Sequence, residues 1–230
     1  RSIVFTSDRG GEDLFVIDAD GRNERRLTND PRPDWAAAWS PDGTRIAFAG
    51  NSRDNLEVEV VAVDGSGRAP LTDHPDRDYD PAWSPDGTRI AFTSERDGNP
   101  NVYVMNADGT GVTQLTDDPS GDFRPAWSPD GTLIAFESTR RGDTDVFSVA
   151  PDASGLRQLT FSQGFDGDPA WSHDGRRIAF ETNRNGTFDV YAMRSDGTGQ
   201  VRLTTSAADD ADPAWSPDGS KIAFTSNRSG

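Results

Sequence analysis

The feature that most constrains this chain is a period. Pro81-Ala82-Trp83-Ser84-Pro85-Asp86-Gly87-Thr88-Arg89-Ile90-Ala91-Phe92 reads as a strand, a tight turn and a second strand, and the unit occurs five times. Its tryptophans, Trp39, Trp83, Trp127, Trp171 and Trp215, recur every 44 residues. A fixed repeat of that length means stacked supersecondary units, each burying its apolar face against the next. Within a unit, apolar residues alternate or form short runs between Gly, Pro and Asp clusters. No helical periodicity appears, so the chain reads as all-β.

Each full unit carries four strand-like runs, A to D. In the first full unit, A is Ala36 to Ser40, turned by Pro41-Asp42-Gly43 into B, Arg45 to Ala49. Proline presets φ at the second turn position and glycine tolerates the left-handed exit. Strand C is Val58 to Val63, turned by Asp64-Gly65, and D ends at Leu71-Thr72. Four antiparallel strands per unit of this size make the blade of a β-propeller. The sequence therefore predicts an all-β, five-bladed β-propeller of four-stranded antiparallel blades, a single domain over residues 1–230. Ala38 and its four copies suit the crowded inner strand. Ile46 and Phe48, with their copies, face the neighbouring blade, and the tryptophans fill the space between blades.

The termini hold parts of units. Residues 1–28 supply strands B, C and D, and the C-terminal stretch supplies A (Asp212 to Ser216) and B (Lys221 to Ser226). Arg1 to Arg9 matches Ser220 to Arg228, with Ile3, Phe5, Thr6, Ser7 and Arg9 the same residues as Ile222, Phe224, Thr225, Ser226 and Arg228. The expectation is a ring closed by both termini, the C-terminal strand A completing the N-terminal B-C-D set, with one strand B frayed or exchanged for its twin. The rival is an arc of a larger ring, open or closed by a second copy. A monomer is expected, with a strand-exchanged oligomer as the alternative.

Charge narrows the partners. Lys plus Arg is 23 and Asp plus Glu is 39, a formal net charge of −16. Such a surface repels phosphate backbones and anionic lipid, which disfavours nucleic acid and membrane surfaces and favours basic peptides, basic protein patches or metal cations. The chain has no cysteine, which excludes disulfides, thiolate nucleophiles and zinc–thiolate sites. It begins at Arg1 without a signal-like segment, as expected of a mature or trimmed piece.

The acids themselves repeat. Asp34, Asp78, Asp122, Asp166 and Asp210 stand 44 residues apart, in the loops leading into strand A. Two residues later come Ala36, Asp80, Arg124, Asp168 and Asp212. One reading is a carboxylate collar of Asp34, Asp78, Asp122, Asp166, Asp210, Asp80, Asp168 and Asp212 at the mouth of the channel. Oxygen-only ligands suit a hard cation, Ca²⁺ by preference, or a basic peptide. The other reading is that the invariant five order their loops, as aspartates in turns do; the irregular position is then the functional one. Asp42, Asp86, Asp130, Asp174 and Asp218 read as turn formers. Ser7/Arg9, Ser94/Arg96, Ser138/Arg140 and Ser226/Arg228 lie in B–C loops, to touch a partner or to order the loop.

Catalytic sets are hard to assemble. The two histidines, His74 and His173, fall in different loops, with no serine–histidine–acid set around either. No glycine-rich phosphate loop opens a helix. A pair of channel carboxylates would suit a glycan-processing hydrolase, although acids repeated blade by blade do not readily separate an acid from a base.

Taken with Val102-Tyr103-Val104-Met105-Asn106-Ala107-Asp108-Gly109 and Gln114-Leu115-Thr116, the units resemble TolB-type β-propeller repeats, and the resemblance spans the chain. It departs at Ala37, at Glu59, at Ala153 in a C–D turn and at His173 in a Pro-Asp-Gly turn. The resemblance implies a periplasmic or extracellular protein-binding platform, engaging partner proteins or disordered peptides near the channel mouth. Related repeats gate separate catalytic domains in peptidases. The expected function is a non-catalytic protein- or peptide-binding scaffold without a required cofactor. The alternatives are a glycan-processing hydrolase and a purely structural or engineered repeat.

Overall fold

The computed structural model describes residues 2–9, 11–51 and 55–228. The chain is all-β, a five-bladed β-propeller of antiparallel sheets with most blades four-stranded. Contacts divide it into two compact units, residues 1–114 and 115–230.

The first unit opens with a three-stranded sheet of β1 (Ser2–Ser7), β2 (Asp13–Asp18) and β3 (Arg25–Arg26). Two four-stranded blades follow. One holds β4 (Asp34–Trp39), β5 (Arg45–Gly50), β6 (Glu57–Ala62) and β7 (Ala69–Pro70). The other holds β8 (Asp78–Trp83), β9 (Arg89–Ser94), β10 (Asn101–Asn106) and β11 (Thr113–Gln114). The second unit repeats the plan with β12 (Asp122–Trp127), β13 (Ile134–Ser138), β14 (Asp145–Val149) and β15 (Arg157–Gln158). Next come β16 (Asp166–Trp171), β17 (Arg177–Thr182), β18 (Asp189–Arg194) and β19 (Val201–Arg202). It ends in a two-stranded sheet of β20 (Asp210–Trp215) and β21 (Ile222–Ser226).

The pairing at the termini differs from the expected one. β20 pairs with β21, Ala214 opposite Ala223 and Trp215 opposite Ile222, and the N-terminal sheet has three strands. Pro217-Asp218-Gly219 explains the preference, because a hairpin partner a few residues away closes a short loop at little entropic cost.

Each Pro-Asp-Gly turn is tied by its aspartate. Ser40 Oγ donates to Asp42 Oδ1 at 2.6 Å, and the Thr44 amide donates to the same oxygen at 3.0 Å. These bonds pull Asp42 and Asp86 down to about 2. Asp130, Asp174 and Asp218 bond in the same way, so all five are turn formers.

Cores form between successive blades. Ile46 and Phe48 pack on Leu14, Val16 and Leu27 of the preceding sheet. Ile90, Phe92 and Trp83 pack on Ala47, Val58 and Val60. In the second unit Ile178, Phe180 and Trp171 pack on Ala135, Val146 and Leu159. The indole of Trp171 also donates across the gap to the Ala126 carbonyl at 3.1 Å. Aromatic and branched residues of one sheet therefore interlock with aliphatic residues of the sheet before it, as close packing requires.

Strand C begins with a buried polar residue in every blade: Asp13, Glu57, Asn101, Asp145 and Asp189. Asp145 accepts from Thr160 Oγ1 at 3.0 Å and Gln158 Nε2 at 2.9 Å, with no cationic partner among these bonds. Burial pushes its carboxyl up to about 6, from 3.8 in the unfolded chain. The folded state therefore binds this proton more tightly, and stability falls as pH rises from about 4 to about 6. Asn101 with Gln114 fills the same places one blade earlier. Asp145→Asn is accordingly expected to stabilise the protein at pH 7 by about 1 kcal/mol after solvent screening. That is a Tm gain of about 2–4 °C, which vanishes below pH 4. Melting curves at both pH values check it; equal gains at both would refute the electrostatic cause.

Candidate functional site

Strand A is bent in every blade at the same place. The register of β12 against β13 shifts between Phe123 and Ala126, and that of β16 against β17 between Gly167 and Ala170. Proline at 81, 125, 169 and 213 offers no N–H to the ladder and so suits a bulge; β4 bulges at the same place between Trp35 and Ala38 with Ala37 there, so the bulge does not require it. The residue before it takes a left-handed backbone: Ala36 (φ 53), Asp80 (φ 52), Arg124 (φ 49), Asp168 (φ 48) and Asp212 (φ 50). Such a bend re-aims a side chain out of the regular alternation. Aspartate tolerates it better than most residues, whereas Arg124 and Ala36 have no such excuse.

In the second unit these bent residues meet glutamates that rise from strand B. Glu137 Oε1 accepts the Asp168 amide at 2.6 Å and Arg124 Nη1 at 3.1 Å. Arg124 Nη1 also donates to Asp168 Oδ2 at 3.0 Å. Glu181 Oε2 accepts the Asp212 amide at 2.9 Å. Thr225 Oγ1 donates to Asp212 Oδ2 at 2.8 Å. One oxygen from each of Asp168, Glu181 and Asp212 lies within 4.8 Å of the others. Glu181 is buried and Asp212 is exposed.

The electrostatics match the crowding. Burial and the neighbouring Glu137 push Asp168 well above the ordinary carboxylate range, against the pull of Arg124. Burial also raises Glu181, opposed by its bond from the Asp212 amide. Arg124 bonds Glu137 and Asp168, while Asp168 also crowds against Glu181 and Asp212, so the carboxylates outnumber the cation and a further cation would relieve their repulsion.

The eight aspartates of the expected collar separate into two groups. Asp34, Asp78, Asp122, Asp166 and Asp210 are each 0% exposed. Each is bound within its blade by an arginine. Arg68 reaches Asp34 with two nitrogens at 2.9 Å, and Arg96, Arg140 and Arg184 reach Asp78, Asp122 and Asp166 at 2.8–2.9 Å. Arg228 holds Asp210 in the same way. Their oxygens are committed to guanidinium groups, and their role is to order the start of strand A. The partners are mostly the arginines of the Ser-x-Arg elements. Arg96 Nε donates to Ser94 Oγ at 2.8 Å and Arg140 Nε to Ser138 Oγ at 2.7 Å, so these elements order loops. Asp168 and Asp212 come together; Asp80 lies in the first unit, where strand B carries Thr93 and no glutamate.

Glu137 and Glu181 were not singled out from sequence. Their signal was a charged residue inside the apolar B strand, at the position held by Ala49, Thr93 and Thr225 elsewhere. His74 Nδ1 accepts the Asp76 amide at 3.2 Å, and His173 is exposed in its turn.

Comparison with known proteins agrees with this architecture. The family model of the TolB beta propeller domain matches residues 3–166 and 162–230. The Tol-Pal system protein TolB of Thioalkalivibrio sulfidiphilus is 38% identical over 60 residues, 25% of this chain and 14% of that protein. The crystal structure of TolB from Acinetobacter baumannii matches with a TM-score of 0.85 at 24% identity, over 96% of this chain and 56% of that one. A putative TolB from Agrobacterium tumefaciens matches with a TM-score of 0.78 at 23% identity, over 92% of this chain and 83% of that one. The chain thus spans less than two thirds of the first two of these relatives.

Proposed function

The chain belongs to the TolB β-propeller domain family, and on that premise we propose that it is a non-catalytic platform for a protein or peptide partner, in a periplasmic or extracellular setting. Asp168, Glu181 and Asp212 receive a cationic group of that partner, a lysine or arginine side chain. The observation that carries this reading is the convergence of these three carboxylates, with Arg124 bonded to Asp168 and to Glu137. A guest ammonium or guanidinium offsets their mutual repulsion and donates charge-assisted hydrogen bonds to them. The net charge of −16 draws basic partners to the surface before contact.

A glycosidase reading fits less well. A retaining pair stands about 5–5.5 Å apart, with one acid raised and one left ionised. Here the oxygens crowd within 4.8 Å, and Asp168 and Glu181 are both raised. Ca²⁺ is the other cation these oxygens suit.

Calorimetry with a lysine-rich peptide, a glutamate-rich peptide and CaCl₂ tests the proposal. The basic peptide is expected to bind, the acidic one not. Binding should weaken with salt, and by about tenfold, or 1.4 kcal/mol, in Asp168→Asn/Asp212→Asn. Equal binding of both peptides, or full binding by the double variant, would refute it. Heat from CaCl₂ alone, lost in the same variant, would assign the site to the ion.

A further inference from the structure

We propose that the blade of β12–β15 carries a separate binding site, a cleft beside β14 and β15 that takes a monocarboxylate with a small apolar body.

The cleft has a volume of about 330 Å³ and shares no residue with the Asp168–Glu181–Asp212 grouping. Arg140 and Arg141 line it from the loop after β13, Phe147 from β14, Leu156 and Gln158 from the outer edge, and Asp118 from the loop before β12. That volume lies at the lower end for ligand pockets, so the guest is small.

Three of these positions depart from the blade of β16–β19, and the three departures fall in one place. Arg141 stands where that blade has Asn185, Phe147 where it has Tyr191, and Leu156 where it has Gln200. In that blade the side chains tie to one another. Asn185 Nδ2 donates to the Tyr191 hydroxyl, and Arg184 Nη1 donates to Gln200 Oε1 at 2.6 Å. In the blade of β4–β7, Arg68 holds the place of Leu156 and bonds Glu59, at the place of Phe147. In the blade of β8–β11 Val112 takes the place of Leu156, but the Tyr103 hydroxyl still donates to Asp97. Phenylalanine at 147 has no hydroxyl for such a bond, and leucine at 156 has no oxygen.

The departures leave donors beside an apolar wall. Arg140 is committed through Nε to Ser138 and through Nη2 to Asp122, and its side chain is only 11% exposed. Its Nη1, the counterpart of the nitrogen that bonds Gln200, makes no hydrogen bond among the described residues. Asp118 Oδ2 stands 3.9 Å from it, beyond hydrogen-bond reach. Arg141 is exposed and has no ion pair among the described residues. Leu156 is 48% exposed. A carboxylate on a hydrocarbon body matches this set. One oxygen accepts from Arg140 Nη1, the charge pairs with Arg141, and the body covers Leu156 and Phe147. A dianion such as phosphate fits less well, because Asp118 lines the same cleft and repels the second charge.

A peptide C-terminus and a short acyl chain both present this chemistry, and N-acetyl-leucine and hexanoate separate them. Amide NMR of the whole chain is expected to show shifts at Arg140, Arg141, Phe147 and Leu156 with either probe, the tighter one naming the source. N-acetyl-leucinamide, which keeps the body and loses the charge, should leave these signals in place. Leu156→Gln returns the acceptor that Gln200 supplies one blade later. It should keep or raise Tm while weakening binding about tenfold or more, and Arg141→Ala should weaken binding about tenfold. Equal binding of the amide and the acid, inorganic phosphate binding more tightly than either carboxylate, no shifts at the cleft, or full binding by Leu156→Gln would each overturn the proposal.

Discussion

Arg140→Ala is expected to destabilise the protein by about 3–5 kcal/mol, because it strands a buried carboxylate. Asp122 is 0% exposed. Arg140 Nη2 meets its two oxygens at 2.9 and 2.8 Å, while Nε is held by Ser138 Oγ at 2.7 Å. The guanidinium is itself stacked, 4.9 Å over Phe147 and 5.6 Å over Phe136. Truncation removes the charge, the fork and the lid over two rings at once. In a chain of this length the loss amounts to roughly 10 °C or more in Tm. Arg140→Lys cannot reproduce a planar fork and is expected to fall between. Asp122→Asn combined with Arg140→Ala should be less damaging than Arg140→Ala alone, since no unpaired charge is left buried. Thermal melts of the three variants decide it. A loss under about 1 kcal/mol for Arg140→Ala would place the pair among surface ion pairs of little worth.

The same pair shows how far the sequence could be read. Asp122 and Arg140 each recur with the 44-residue period, and their joint recurrence was visible. What the period could not show was direction. An aspartate before a strand reads equally as a metal ligand, a loop organiser or half of an ion pair, and only the fold brings the arginine back to it. The blades were legible because Pro-Asp-Gly turns and apolar alternation are local signals. The Asp168–Glu181–Asp212 grouping was half legible. Asp168 and Asp212 stand at a position whose residue varies from blade to blade, beside the invariant aspartates, which marked it out. Glu181 was hidden because alternation along β17 assigns a face but does not reveal a bulge one strand away. The termini were the least legible part, since two copies of one strand B compete for a single kind of partner and the residues themselves do not rank them.

Phe180→Ala is expected to cost about 3–5 kcal/mol, and Phe224→Ala under about 1 kcal/mol, although both hold the same place in the repeat. Phe180 on β17 is fully buried against Ala135, Val146 and Leu159 of the preceding blade. Its ring lies 5.8 Å from Tyr191, with Arg184 at 5.5 Å. Truncation leaves a cavity between two stiff sheets that can collapse little, so the cavity term adds to the lost transfer energy. Phe224 on β21 is 37% exposed, and alanine there removes surface that water already reaches. The contrast isolates burial from residue type and repeat position. The damage should also be directional. In a repeat array each blade is stabilised mainly through its neighbours, so breaking the contact between β13–β14 and β17 should loosen the blade of β16–β19 first. Amide exchange in Phe180→Ala should therefore rise in β17 and β18 before β8–β10. Similar losses for both phenylalanines, or a uniform rise in exchange along the chain, would show that the blades do not derive their stability from these interlayer cores.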